Sequence, residues 1–196
     1  MQTKSMSLTR ETKETNITID LDLDTPGTPG IGTTVPFFDH MLNAMAFHGG
    51  FSLSVKASGD TESDPHHLVE DTGIIFGRLL KEWARTYGPL VRFGHAVIPM
   101  DEALSEVTID VSGRSHLVYR ADYPQQRCGD FDTALIREFL LGLTRTAEIT
   151  LHAQVRHGDN SHHMTESLFK ALGKALAQAY CRSNAGGIPS TKGTIE

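Results

Sequence analysis

The chain has 196 residues, a length that suits one domain or two small halves packed together and that can bury a hydrophobic core. Apolar residues make up 39% and charged residues 21% of the chain, which excludes disordered and fibrous proteins. The 24 acidic residues outnumber the 18 basic residues, and the net charge of -6 argues against nucleic-acid binding through many phosphate contacts.

The first half of the chain predicts a strand, a helix, a second strand and a long helix. Apolar and polar residues alternate over 16–23, which predicts a half-buried strand, and the TPGTPG sequence at 25–30 predicts the turn that ends it. Apolar residues at helical spacing predict a helix over 37–48. A strand follows at 51–57, and a long helix with a proline near its start is expected over about 66–87.

The second half predicts the same order of helix, strand and long helix. The helix is expected at about 132–146, the strand at 149–155 and the capped long helix at about 161–182. The tail from residue 184 is loop-like. The strand-like segments that precede these elements lie near 95–99, 106–111 and 116–120.

A repeated motif indicates that this order arises from an internal duplication. The pattern His-His-x-x-Glu occurs at 66–70 and again at 162–166, 96 residues later. A shift of 98 residues aligns the strands before the two motifs and places His40 on Glu138. Because ligand-capable residues align, we predict an internally duplicated α+β fold in a single domain, residues 1–196. Its two pseudo-repeats are expected at about 10–95 and 96–196.

The two motifs have the chemistry and spacing of metal ligands. On a helix, a histidine and a glutamate four residues later lie on the same face, so His66 and Glu70 can bind one ion. His67 points about 100° away and is assigned to a second ion. Imidazoles and carboxylates without thiolates favour a borderline divalent ion over a closed structural zinc site. Four protein ligands leave coordination positions open, which predicts catalysis at the metals.

We predict two ligand sets on this basis. The first comprises His40, His66, Glu70 and His163. The second comprises His67, Glu138, His162 and Glu166. Two further histidines are interpreted separately. His48 has two interpretations, an interaction with the helix C-terminus or ligand binding, and His152 is expected to be a surface imidazole on a strand.

Two other functions are compatible with the same ligands. One is metal-assisted hydrolysis of an ester or amide, and the other is a metal store or sensor without a substrate pocket. The hydroxyls, backbone donors and ammonium of the tail at 190–193 suit a phosphate group. By themselves, Arg92 and Arg114 are expected to be solvated charges. This tail and the paired arginines argue against a store or sensor.

The cellular location is predicted from cysteine usage and hydropathy. Cys128 and Cys181 are too few for a disulfide framework, which favours a reducing compartment. The polar start lacks the apolar core of a signal peptide, and no run of about 18 apolar residues occurs. We therefore expect a cytoplasmic protein that has neither a membrane nor nucleic acid as a partner.

Several short motifs, in a fixed order, carry a resemblance that covers nearly the whole chain. They are RETKET at 10–15, FFDHML at 37–42, HHLVEDTG at 66–73, MDEAL at 100–104, NSHHMTESLFKALGKAL at 160–176 and AGGIPSTKG at 185–193. Together they closely resemble the imidazoleglycerol-phosphate dehydratase family.

The resemblance implies a duplicated α+β fold with two mixed sheets enclosing helices. It implies a lyase of histidine biosynthesis that uses two manganese ions in each active site to convert imidazole glycerol phosphate into imidazole acetol phosphate. It also implies a homo-oligomer of twenty-four subunits with the metals between subunits. Some family members carry histidine where this chain has Glu138.

The resemblance also implies roles for individual residues. Glu14 or Glu166 is the expected acid or base. Substrate contact is expected from Glu14, His40, His48, Arg92, Arg114, Lys170, Ser190 and Lys192, with the two arginines, Ser190 and Lys192 on the phosphate.

Overall fold

The first of two four-stranded sheets is formed by the N-terminal part of the chain. The computed structural model describes residues 4–59, 61 and 64–183. The strands pair in the order β1-β2-β4-β3, and only the β3–β4 pair is parallel. Alternate residues of β2, such as Ile17 and Ile19, are fully buried on the face that packs against helices. The bounds are β1 Met6–Glu11, β2 Thr15–Asp22, β3 Gly30–Gly32 and β4 Ser52–Gly59.

The second sheet has the same strand order and the same pairing directions. Its order is β5-β6-β10-β7, with β7 parallel to β10 and the other pairs antiparallel. This agreement is what a duplication requires, while the duplication itself and the single-domain boundaries stay predictions. The bounds are β5 Phe93–Met100, β6 Ala103–Asp110, β7 His116–Arg120 and β10 Thr150–His157, with β8 Arg127–Cys128 and β9 Phe131–Asp132 forming a separate hairpin.

Four helices of the described residues lie between the two sheets. Their ends follow local sequence signals, since α1 has Pro36 at its first position and closes at Gly50, whose φ of 74° lies in the left-handed region. The Asn160 side chain caps α4 by accepting the backbone N–H groups of His162 and His163. The bounds are α1 Pro36–Gly49, α2 His66–Tyr87, α3 Leu135–Ala147 and α4 Ser161–Ala179.

The helices pair across the two halves of the chain. Helix α1 packs against α4, and α3 packs against α2, while α2 also covers the first sheet and α4 the second. Glycines permit these close approaches. A Cβ at Gly173 would collide with the backbone carbonyl of Met45, and a Cβ at Gly73 with that of Phe139. The shorter helix of each half is therefore held against the long helix of the other half.

The structure confirms the predicted α+β class, with two mixed sheets and helices between them. All four predicted helices and all six predicted strands are present, and α2 has the predicted bounds. The sequence missed β1, β3 and the β8–β9 hairpin, and the turn expected at 25–30 ends where β3 begins. No helix in residues 4–59 or 64–183 is long and apolar enough to cross a membrane.

Candidate metal centre and active site

Three predicted ligands meet where α1 packs against α4. The Glu166 Oε2 atom lies 3.1 Å from His40 Nε2 and 3.1 Å from His162 Nε2. The three ligand atoms all lie within 4.8 Å of one another. We call His40, His162 and Glu166 the α1–α4 triad. The Glu166 side chain is 12% exposed, whereas the His40 and His162 side chains are 47% and 44% exposed. The carboxylate of the triad is therefore buried, and the two imidazoles are accessible to solvent.

Local structure explains why the triad forms. His162 and Glu166 are four residues apart on α4 and therefore share a face. His40 reaches them from α1 because Gly173 lets the two helices approach closely. The Phe37 ring packs against the His162 ring at a centroid distance of 5.2 Å and supports it from the side of α1.

The spacing of the triad fits one divalent ion. Metal bonds of about 2.0–2.2 Å place two ligands at right angles about 3 Å apart, and both carboxylate–imidazole distances in the triad are 3.1 Å. Two imidazole nitrogens and one carboxylate oxygen suit a borderline divalent metal. In the described part of the chain the ligand atoms instead share hydrogen bonds, so metal binding is expected to displace the protons between them.

Lys170 holds the other oxygen of the triad carboxylate. Its Nζ lies 2.8 Å from Glu166 Oε1, which leaves Oε2 to face the imidazoles. Burial raises the pKa of Glu166, but the hydrogen bond and charge of Lys170, with His40, outweigh burial and lower the pKa below its ordinary value. The carboxylate is therefore held in the charged form that a metal requires.

The equivalent residues of the other half are His66 and Glu70 on α2 and Glu138 on α3. His66 Nε2 lies 3.9 Å from Glu70 Oε2. Helix α3 runs beside this turn, since a Cβ at Gly142 would lie 2.8 Å from the Glu70 carbonyl oxygen. Both carboxylates form ion pairs with arginines. Glu138 Oε1 lies 3.3 Å from Arg137 Nη1, and Glu70 Oε1 lies 3.5 Å from Arg145 Nη2. Within the described residues these three ligands do not form a cluster.

The predicted division of the ligands into two sets stays a prediction. It places His40 in a different set from His162 and Glu166, and within one chain these three side chains lie in one cluster. This cluster follows from the pairing of α1 with α4, and α3 pairs with α2 in the same way. His40 thus lies with the second motif, and Glu138 lies on the helix that packs against the first.

The second histidine of each motif meets a carboxylate from a hairpin turn. His67 Nδ1 lies 3.8 Å from Glu14 Oε2, in the turn between β1 and β2. His163 Nδ1 lies 2.8 Å from Glu102 Oε2, in the turn between β5 and β6. The hydrogen bond from His163 lowers the pKa of Glu102 to about 2, with help from backbone N–H groups, and the same bond raises the pKa of His163.

Two further substrate-binding candidates, His48 and Lys170, lie on α1 and α4, the two helices that carry the triad. His48 is in the last turn of α1, and its pKa is lowered by burial and by the charges of Lys170 and Lys174. Lys170 also contacts the Met100 sulfur at 3.8 Å. The triad therefore borders a cationic stretch of helix surface.

The phosphate-binding candidates lie elsewhere on the chain. Arg92, at a left-handed φ of 79° just before β5, makes a bidentate ion pair with Asp110, at 2.7 and 3.2 Å. Arg114 is exposed in the loop before β7, where its N–H donates to Ser112 Oγ. Ser190 and Lys192 lie outside the described residues. His152 is exposed on β10, as predicted for a surface imidazole.

A cavity beside the triad was not predicted from sequence. It encloses about 900 Å³, and its lining includes Arg127 and Cys128 of the β8 strand next to His40 and His162. The segment before β8 is tied to the start of α4, because Gln125 and Ser161 exchange hydrogen bonds of 2.8 to 2.9 Å. The loop conformation that builds this wall depends on contacts with α4 that lie far away in the sequence.

Comparison with known proteins shows one consistent similarity. The family model described as imidazoleglycerol-phosphate dehydratase matches residues 33–176. An imidazoleglycerol-phosphate dehydratase of an Exiguobacterium species is 49% identical over 193 residues, which are 98% of this chain and 99% of that protein. One from an Azoarcus species is 48% identical over 190 residues, covering 96% of this chain and 97% of its own.

Solved structures show the same similarity in three dimensions. The crystal structure of imidazoleglycerol-phosphate dehydratase from Staphylococcus aureus matches with a TM-score of 0.81 and 38% identity, covering 91% of this chain and 99% of that chain. The crystal structure of the enzyme from Pyrococcus furiosus matches with a TM-score of 0.84 and 35% identity. The match covers 96% of this chain and 100% of that chain. The folds thus agree over almost their whole length.

Proposed function

The chain belongs to the imidazoleglycerol-phosphate dehydratase family, and from that premise we propose how its residues catalyse the reaction. Its activity is that of a hydro-lyase in histidine biosynthesis. We propose that it converts D-erythro-imidazole glycerol phosphate into imidazole acetol phosphate with two manganese ions in each active site. The observation that carries the metal role is the α1–α4 triad, whose ligand atoms have the spacing of one coordination sphere.

The proposed division of ligands follows the helix pairs. The α1–α4 triad would hold the first ion. His66, Glu70 and Glu138 would hold the second, with the Glu138 carboxylate turned away from its present ion pair with Arg137. His67 and His163 point about 100° away from the histidines beside them, so each is available to complete a site on a neighbouring copy. This arrangement supports a homo-oligomer, which we propose to be the twenty-four-subunit assembly.

The proposed chemistry needs both metal ions and a base. When bound, the ions supply Lewis acids for a substrate ring nitrogen and a substrate hydroxyl. The hydrogen that leaves carbon is not acidified by a carbonyl, so the electron density of the imidazole ring must assist the loss of the hydroxyl. A carboxylate of the chain is then required to move the proton from carbon.

Glu14 is the better candidate for that proton transfer. Glu166 uses Oε2 for the two imidazoles and Oε1 for Lys170, which commits the whole carboxylate to the metal site. Glu14 is 61% exposed and lies 3.8 Å from His67, so it borders a proposed ligand and retains free acceptor capacity. We therefore assign metal binding to Glu166 and acid–base chemistry to Glu14.

Substrate orientation is proposed to come from groups on both sides of the metals. His40 belongs to the α1–α4 triad, Lys170 contacts its Glu166 carboxylate, and His48 lies in the last turn of α1 near the charges of Lys170 and Lys174. Phosphate is assigned to Arg92, Arg114, Ser190 and Lys192, and the ion pair with Asp110 holds the Arg92 guanidinium in a fixed orientation. The free thiols of Cys128 and Cys181 agree with our proposal of a cytoplasmic location.

Metal dependence of the reaction tests this proposal. Protein stripped of metal by a chelator is expected to convert imidazole glycerol phosphate at least about a hundredfold more slowly, because Lewis-acid stabilisation is worth several kcal/mol. Added Mn²⁺ is expected to restore formation of imidazole acetol phosphate, followed directly as product. A hydrolase or a metal store would form none of this product, and full turnover by the metal-free protein would contradict the metal mechanism.

A further inference from the structure

Glu102 joins the β5–β6 turn to the start of α4 and to one histidine of the second motif. Its Oε1 atom accepts the backbone N–H groups of Asp159 at 3.2 Å and of Asn160 at 2.9 Å. Its Oε2 atom accepts a hydrogen bond of 2.8 Å from His163 Nδ1. Asp101 precedes it with a left-handed φ of 47°, a conformation that the tight turn imposes. Both oxygens of Glu102 are therefore used, Oε1 by the two residues that precede α4 and Oε2 by His163 in the first turn of α4.

The contact with Glu102 fixes the protonation pattern of the His163 ring. A carboxylate only accepts hydrogen bonds, so the Nδ1 atom that faces it must carry a proton. In the neutral ring Nε2 is then unprotonated and carries the lone pair that a metal needs. Among residues 4–59, 61 and 64–183, the acidic group nearest to that atom is Asp101, at 3.8 Å and therefore beyond hydrogen-bonding distance. The Nε2 atom of His163 is thus held in a fixed direction as a ligand atom.

We propose that Glu102 is a positioning residue that holds His163 in the tautomer and orientation required to bind a metal ion on a neighbouring copy of the chain. The inference rests on the proposed function, because it takes His163 to be a metal ligand. It adds a residue that acts through His163, without touching the metal or the substrate. Carboxylates that orient ligand histidines in this way change metal affinity about 10- to 100-fold.

Comparison with the other half of the chain shows that the two carboxylates have different roles. Glu14 occupies the equivalent hairpin turn and faces His67, but at 3.8 Å and with 61% of its side chain exposed. In the described residues its carboxylate accepts no backbone N–H, whereas Glu102 accepts two and is 35% exposed. The firmly held carboxylate suits orientation of a ligand, and the loosely held one suits proton transfer.

The variant Glu102→Gln separates orientation of His163 from anchoring of the turn. The amide oxygen can replace Oε1 and keep both backbone hydrogen bonds. The amide NH2 group then faces His163 Nδ1 and donates to it, which moves the ring proton to Nε2 and blocks the ligand atom. Glu102→Ala removes both functions. The matched control is Glu82→Gln, which changes an exposed carboxylate of α2. Among the described residues, its side chain accepts one hydrogen bond, of 3.4 Å from Thr86, and forms no ion pair.

The measurement is a Mn²⁺ titration of metal-stripped protein, with free Mn²⁺ followed by electron paramagnetic resonance, alongside the melting temperature of the metal-free protein. We expect Glu102→Gln and Glu102→Ala to weaken one of the two Mn²⁺ sites about 10- to 100-fold, with the melting temperature of Glu102→Gln close to wild type. Glu82→Gln is expected to bind like wild type. Wild-type affinity in Glu102→Gln overturns the inference, whatever Glu102→Ala does. Failure of the wild-type protein to bind Mn²⁺ overturns the proposed function instead.

Discussion

His162→Ala is expected to remove manganese from the α1–α4 triad and to lower kcat/KM at least about a thousandfold. The substitution deletes one of three ligands and also the imidazole that lies 3.1 Å from Glu166 Oε2. Two remaining ligands cannot define the coordination sphere, and the substrate loses the Lewis acid on which the elimination depends. The measurements are bound manganese per subunit and steady-state kinetics on the same preparation.

A matched histidine provides the control for this substitution. His157 is exposed at the end of β10 and has no role in the proposed site, so His157→Ala is expected to keep wild-type manganese content and turnover. Retention of both manganese and kcat/KM by His162→Ala would show that the triad is not the metal site.

Gly173→Ala is expected to reduce both the stability of the protein and its affinity for manganese. A Cβ at this position would collide with the Met45 carbonyl and lie 3.2 Å from the Gly49 N atom, and backbone atoms cannot rotate away as a flexible side chain can. Helix α1 must therefore move away from α4, at a cost of about 1–3 kcal/mol in the free energy of unfolding. His40 moves with α1, which pulls it away from His162 and Glu166.

The test is chemical unfolding of the metal-free protein together with a Mn²⁺ titration. Gly32→Ala is the control, because a Cβ there meets nothing within 4 Å, and it is expected to leave both quantities unchanged. If Gly173→Ala unfolds at the wild-type denaturant concentration and binds Mn²⁺ normally, close packing of α1 on α4 does not build the site.

The elements that could be predicted from sequence are those specified by local pattern. Helix α2 has a long amphipathic repeat with a proline before it and was predicted with its observed bounds. Strand β1 was missed because Met6 and Leu8 are only partly buried, and the strand depends on pairing with β2 at the edge of the sheet. The three-residue strand β3 similarly exists through its pairing with β4.

The same distinction applies to the candidate site. The ligands within each motif could be predicted because four-residue spacing on a helix is local geometry. The grouping of His40 with Glu166 could not, since 126 residues separate them and the contact depends on which helices pair. Glu102 was visible only as part of the MDEAL motif, because its contact with His163 spans 61 residues.

The central claim is that His40, His162 and Glu166 of one chain bind a single metal ion. Anomalous diffraction at the manganese edge, from crystals of the manganese-loaded protein, tests it most directly. We predict an anomalous peak at bonding distance from all three side chains. A histidine of a neighbouring subunit is expected to complete the coordination of this ion. Manganese bound elsewhere, with the three side chains still hydrogen-bonded to one another, would contradict the claim.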